Sequence, residues 1–151
     1  MKHALTALLT MAEEKLRAAR LLLDGAAWGD ASSRAYYAAF HAVSAVLLAR
    51  DESYSHHAQV LGAFNREFVH TGLFPREFTL MLTRLFENRQ SGDYGVIPGV
   101  TEVEARQDVV DAQRIVETVR QFGRVIDGCV PRRRRTGTVL ARAWAMNKSQ
   151  E

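Results

Sequence analysis

Cysteine is almost missing from this sequence. Cys129 is the only one in 151 residues, which excludes an intramolecular disulfide framework and a cysteine-rich zinc site and fits a reducing compartment. Proline is nearly as scarce, at three, so little interrupts long helices. No apolar run reaches the eighteen or so residues needed to cross a bilayer. The opening stretch MKHALTALLTMAEEKL carries an acidic pair where a secretory leader would stay apolar or end in small residues. A cytoplasmic protein with no membrane association is the expectation. There is no alternating strand pattern, no internal repeat, no Walker loop, no Gly-rich dinucleotide turn and no zinc spacing. The Glu-x-x-His pairs of a di-iron bundle are missing too. No cofactor and no metal are expected.

What is present reads as an ordinary globular chain, 47% apolar and 25% charged, long enough for one domain with a buried core. The net charge is +3, and it is unevenly placed. Residues 129–151 hold six Lys/Arg and one Glu, a balance of +5, while residues 1–128 hold fourteen against sixteen, a balance of −2. The basic character therefore belongs to a tail, 129–151, expected to be flexible, and not to the domain, 1–128.

Apolar periodicity predicts helices throughout. Residues 3–24 carry an amphipathic stripe of Leu5, Leu8, Leu9, Ala12, Leu16, Ala19, Leu22 and Leu23, ended by Asp24-Gly25. Trp28-Gly29-Asp30 reads as a turn, with Asp30 or Ser32 capping a second helix that runs to about Arg50. Apolar residues wrap most of that helix, so it should be the central one. Ser55 is a candidate cap for a third helix, His56 to about His70, and Pro75 suits the first turn of a fourth, about Arg76 to Gln90. Thr101 to Glu104 form a capping box that opens the last helix, ending near Asp127 with Val109, Ala112, Val116, Val119 and Val125 inward. The expected fold is all-α, an up-and-down bundle of four to five helices.

Three polar groupings interrupt the apolar pattern. Arg34 and His41 are seven residues apart, nearly two full turns, so they share a face with Tyr37 between them. An arginine can hold a phosphate and a histidine can move a proton near neutrality, so the pair can serve a phosphodiester whose own 2′-hydroxyl is the nucleophile. It can equally be a helix-start arginine and a hydrogen-bonded bundle histidine. Arg89 and Asp93 are an i, i+4 pair followed by Tyr94, and this is either a helix-end salt bridge or an arginine and a phenol added to a pocket beside helix two. His56 and His57 point about 100° apart, which suits capping better than metal binding.

Taken in series, SRAYYAAFHAVSAVLLARD, SYSHHAQVLGAFNREFVHTGLF and LTRLFENRQSGDYG resemble the HEPN domain (higher eukaryotes and prokaryotes nucleotide-binding). The branch is the one with R-x-YY-x-x-FH, then S-H, then R-x-x-x-DY, and the resemblance covers about residues 4–127. It implies a helical bundle that dimerises. It also implies either a metal-independent RNase toxin acting through R-x4-6-H, or a non-catalytic partner of a minimal nucleotidyltransferase. On this basis Arg34 and His41 are the catalytic candidates, and Tyr37, His57, Arg89, Asp93 and Tyr94 the RNA- or nucleotide-binding ones. The sequence departs from the toxins in one respect: their motif lies in a later helix and continues as H-x-Y, whereas here that stretch ends in Asp93-Tyr94 without a histidine. Arg132 to Arg135 in the tail could touch phosphates or simply be solvated.

Overall fold

The computed structural model describes residues 2–93 and 99–129, with side chains from His3 to Asp93 and Gly99 to Arg124. Tyr94, the inward assignment of Val125 and the basic segment 130–151 lie outside the described residues. Five α-helices follow one another: α1 (Lys2–Asp24), α2 (Trp28–Leu48), α3 (His57–Phe64), α4 (Glu77–Asp93) and α5 (Glu102–Cys129). Among the described residues there is no strand, and no helix is long and apolar enough to cross a membrane.

α2 is the organising element, packed against α1, α3, α4 and α5. The sequence explains why. Its small residues Ala31, Ala35, Ala38, Ala39, Ala42 and Ala45 are all buried, so neighbouring helices can approach closely from several sides, while Tyr36, Val43 and Leu47 fill the spaces between them. α1 delivers its stripe of Ala12, Leu16, Ala19 and Leu23 to this core. α4 contributes Phe78, Leu82 and Leu85, and α5 Val109, Ala112, Ile115, Val116, Val119 and Phe122. Phe64, Phe68, Phe74 and Phe122 form an aromatic knot below α2, with Phe74 and Phe122 centroids 5.2 Å apart.

The helix boundaries depart from the sequence reading in three places. Trp28-Gly29-Asp30 is not a turn but the first turn of α2; the connection is only Gly25–Ala27, with Ala26 at φ 57°. Neither Asp30 nor Ser32 caps α2, whose N-cap is Ala27 without a side-chain hydrogen bond; Ser32 is instead buried inside the bundle. Ser55 does not cap α3 either, its N-cap being His56. The third helix stops at Phe64 and continues as a π-helical turn, Asn65–Val69, in which the His70 amide donates to the Asn65 carbonyl at 2.8 Å. The one cap that forms as read is the box at α5, where the Thr101 amide donates to Glu104 Oε2 (2.8 Å) and the Glu104 amide donates to Thr101 Oγ1 (3.3 Å).

Two contacts fix α4 on its neighbours. At its C-terminal end Gly92 meets Gly29 of α2 backbone to backbone: a Cβ on Gly92 would lie 2.7 Å from the Gly29 carbonyl oxygen. Along its middle, Arg84 pairs with Asp111 of α5, and Asn88 Nδ2 donates to Asp108 Oδ2 at 2.9 Å. Asp108 and Asp111 are 0% and 2% exposed, so their docking requires these partners. Burial pushes the Asp108 carboxyl up, against the opposing pull of Asn88, Ser32 and Arg84.

Candidate functional site

The Tyr-Tyr pair on α2 projects into the angle between α3 and α4, and the polar groups collect there. Arg89, one turn before the Gly29–Gly92 contact, donates from an Nη to Tyr37 Oη at 2.8 Å. Its Nε lies 2.9 Å from Asp93 Oδ2, an ion pair lying off the line of a hydrogen bond. The guanidinium also stands over two rings, 5.3 Å from the Tyr37 centroid and 5.7 Å from that of Tyr36. Burial works against its charge, but the Tyr37 hydroxyl and the Asp93 carboxylate outweigh it, and the Arg89 pKa is raised. Arg89 is thus a fixed cation held between α2 and its own helix end.

On the α3 side, Tyr36 Oη and His57 Nδ1 are 2.9 Å apart. Tyr36 is fully buried and burial pushes its pKa up to about 12, so it stays protonated and must place that proton on an acceptor. Among the described residues Nδ1 is the acceptor within reach. This assigns His57 as the Nε2–H tautomer, a neutral donor on its other edge. Phe40 stacks on the same imidazole with centroids 4.3 Å apart, which holds the ring plane. Burial lowers the His57 pKa, and Arg89 lowers it further.

His41 sits one turn beyond Tyr37, its ring 6.5 Å from that of Tyr37 and 5.8 Å from Phe40. It is half-buried, and burial, then Lys15 of α1, then His57 lower its pKa. Both histidines are therefore neutral at pH 7, able to accept or donate a proton but carrying no charge.

The structure brings together Tyr37, His41, His57, Arg89 and Asp93 from three separate motifs. Arg34 is on α2 but exposed, and no described hydrogen bond or ion pair ties it to this cluster; Tyr94 lies outside the described residues. His56 is exposed at the α3 N-cap. Tyr36 and Phe40 were not among the candidate site residues, yet they set the tautomer and plane of His57. The available signal was the adjacency of two tyrosines, since only one can share the Arg34–His41 face. Lys15, which is not part of the apolar stripe of α1, is half-buried. Among the described residues there is no grouping of three or more His, Cys, Asp or Glu suited to a metal.

A family model described as the HEPN domain matches residues 5–122. Among known sequences, a UPF0332 protein of Thermotoga maritima is 40% identical over 111 residues, spanning 74% of this chain and 84% of its own. A Methanocaldococcus jannaschii protein whose name marks it as a toxin candidate is 32% identical over 120 residues, spanning 80% and 89%. Among solved structures, TT1696 from Thermus thermophilus shares the fold with a TM-score of 0.67 at 22% identity, over 80% of this chain and 98% of that one.

Proposed function

Because the chain belongs to the HEPN domain family, we propose that the cluster between α2, α3 and α4 binds RNA or a nucleotide, with Arg89 and Tyr37 facing phosphate and the Phe40–His57 stack next to the base. The observation that carries this reading is the convergence of Tyr36, Tyr37 and His41 of α2, His57 of α3 and Arg89 and Asp93 of α4 on one spot, through the Arg89–Tyr37 and Tyr36–His57 hydrogen bonds and the Arg89–Asp93 pair. Relatives named as toxin candidates fit a toxin-like role. Homodimerisation and a nucleotidyltransferase-type partner, both implied by the family, belong to the same proposal.

If the module also cleaves, the chemistry available is transesterification. His41, neutral at pH 7, takes the proton of a ribose 2′-hydroxyl. The oxygen attacks the adjacent phosphorus and the bond to the 5′-oxygen breaks. That oxygen takes a proton from water while the His41 imidazolium returns its own to solvent, and a cyclic phosphate and a 5′-hydroxyl result. Arg89 would steady the charge on the phosphoryl oxygens. Arg34, exposed on the same helix, is a candidate second contact. Non-catalytic binding is the competing reading, favoured by one feature: Arg89 is already matched by Asp93, and no histidine follows it in α4.

One experiment separates them. RNA is incubated with wild-type protein and with His41→Ala in EDTA, and binding is followed in parallel by fluorescence anisotropy at low salt. Cleavage lost in His41→Ala, with binding and helical circular dichroism kept, supports the ribonuclease. Binding without cleavage in either protein supports the non-catalytic module. Absence of both in the wild type rejects the proposal.

A further inference from the structure

The cluster has an unusual charge balance. Its fixed cation, Arg89, is engaged by Asp93, and both of its histidines are held neutral. An anion arriving there meets one matched guanidinium and two uncharged rings, so a further cation is needed if phosphate is to be held well.

α1 provides one. α1 and α2 are joined by three residues, Gly25 to Ala27, a connection that makes them antiparallel neighbours. Counting from Ala26, Lys15 lies eleven residues back and Tyr37 eleven residues forward, 26 − 15 and 37 − 26. Lys15 is therefore level with Tyr37 and within about one turn of His41, roughly 6 Å along the axis. Its neighbours on the stripe, Ala12, Leu16 and Ala19, are buried against the bundle, and Lys15 itself is half-buried, so its methylene stem lies along the α1–α2 seam. That level on α1 sets it toward His41, in keeping with its part in lowering the pKa of that ring. The nearby Glu13 is committed to Arg120 at 3.0 Å. No carboxylate among the described residues is within ion-pairing distance of Lys15.

We propose that Lys15 completes the site as its phosphate-holding cation, the anion lying between the Lys15 ammonium and the His41 ring. The ligand class is a phosphate monoester or diester of a nucleotide. The inference rests on the nucleotide-binding reading above and adds α1 as a fourth contributing helix. The groups that face His41 are Lys15 from α1, Tyr37 and Phe40 from α2, His57 from α3 and, beyond Tyr37, the Arg89–Asp93 pair from α4.

The test is an NMR titration of the His41 ring protons with adenosine 3′-monophosphate as probe and inorganic phosphate as comparison. It uses wild type, Lys15→Met (which keeps the stem), Lys15→Arg and the exposed α1 control Arg17→Met. In the wild type, a bound phosphate should raise the His41 pKa. Lys15→Met should start from a higher His41 pKa, respond less to the probe and bind it roughly tenfold more weakly. Lys15→Arg should recover binding, and Arg17→Met should match the wild type. If Lys15→Met binds and responds like the wild type, Lys15 is not the phosphate cation, while the binding reading stands. If the wild type neither binds the probe nor shifts His41, the nucleotide reading falls and this inference with it.

Discussion

Gly92→Ala puts the arrangement of α4 to a quantitative test. The added Cβ would lie 2.7 Å from the Gly29 carbonyl oxygen and 3.1 Å from both the Gly29 carbonyl carbon and its Cα. All three are backbone atoms of a buried helix crossing, so no rotamer change can relieve them. Restoring ordinary contact needs the last turn of α4 to move off α2 by about 0.7 Å, and overpacking of this kind costs about 1–3 kcal/mol. Against this stands the helix-propensity gain of Gly→Ala, about 1 kcal/mol. The net expectation is a loss of up to about 2 kcal/mol. Gly62→Ala and Gly123→Ala supply the reference, because an added Cβ meets nothing within 4 Å at either position and both lie inside helices. They should gain roughly 0.5–1 kcal/mol. Urea unfolding followed by circular dichroism, with m-values compared, measures all three. Gly92→Ala must fall below both references by about 1–3 kcal/mol, the clash itself. Equal gains at all three positions would refute the claim that a glycine-to-glycine contact sets the distance between α2 and α4.

Four further outcomes follow from the described contacts and burial. Tyr36→Phe removes the proton that Tyr36 gives to His57 Nδ1, so the two ring nitrogens should lose their distinct 15N shifts, and stability should fall by about 1 kcal/mol; unchanged 15N shifts would contradict the assigned tautomer. Asp111→Ala strips Arg84 of the nearer of its two buried carboxylates, Asp108 remaining at 4.0 Å, and should cost about 2–3 kcal/mol in chemical denaturation, below the usual range for a buried pair because the Arg84 side chain is 43% exposed. Arg114→Ala, whose 3.5 Å pair with Glu77 is about half exposed at both ends, should cost under about 0.5 kcal/mol. His41 and His57 have folded pKa values below the unfolded value of about 6.5, so the unfolded chain binds more protons as the pH falls. Their contribution is complete above about pH 6.5 and is lost as the pH drops through the folded values. Wild type should therefore weaken between pH 7.5 and pH 5 more than a His41→Gln/His57→Gln double variant; parallel curves would count against it. Asp108, raised by burial, acts in the opposite sense, losing stability as the pH rises through its folded value, and is common to both proteins.

The helices were legible because their signals are local. The stripe on α1 and the capping box at Thr101–Glu104 each specify structure within a few residues. The start of α2 was misread because Gly29 looks like a turn residue in isolation. Its lack of a side chain instead serves contact with Gly92, sixty-three positions along the chain. The break at Asn65 is similarly silent, since NREFV contains no residue that forbids an α-helix. For the candidate site, the motifs pointed at Arg34, Tyr37, His41, His57, Arg89, Asp93 and Tyr94, of which Arg34 is exposed apart from the cluster and Tyr94 lies outside the described residues. The partners that orient them did not show, because Tyr36 and Phe40 are indistinguishable from core aromatics until His57 is placed beside them. Asp108 and Asp111 are spaced i, i+3 among inward apolar residues of α5. That was a readable sign of buried carboxylates, but their partner Arg84 could be identified only once α4 was docked.

The hydrogen bond from Arg89 to Tyr37 spans fifty-two residues, and this has a bearing on when the molecule first acquires a binding surface. Tyr36, Tyr37 and His41 leave the ribosome well before His57, and Arg89 and Asp93 later still. A nascent chain that has released α1, α2 and α3 holds a complete aromatic and histidine face but no arginine to aim at it. α4 docks on α2 and also on α5, whose Asp108 and Asp111 emerge last of all. On the binding role proposed above, competence for ligand arrives only after α4 has been made, and products truncated before α4 should be inert toward the ligand.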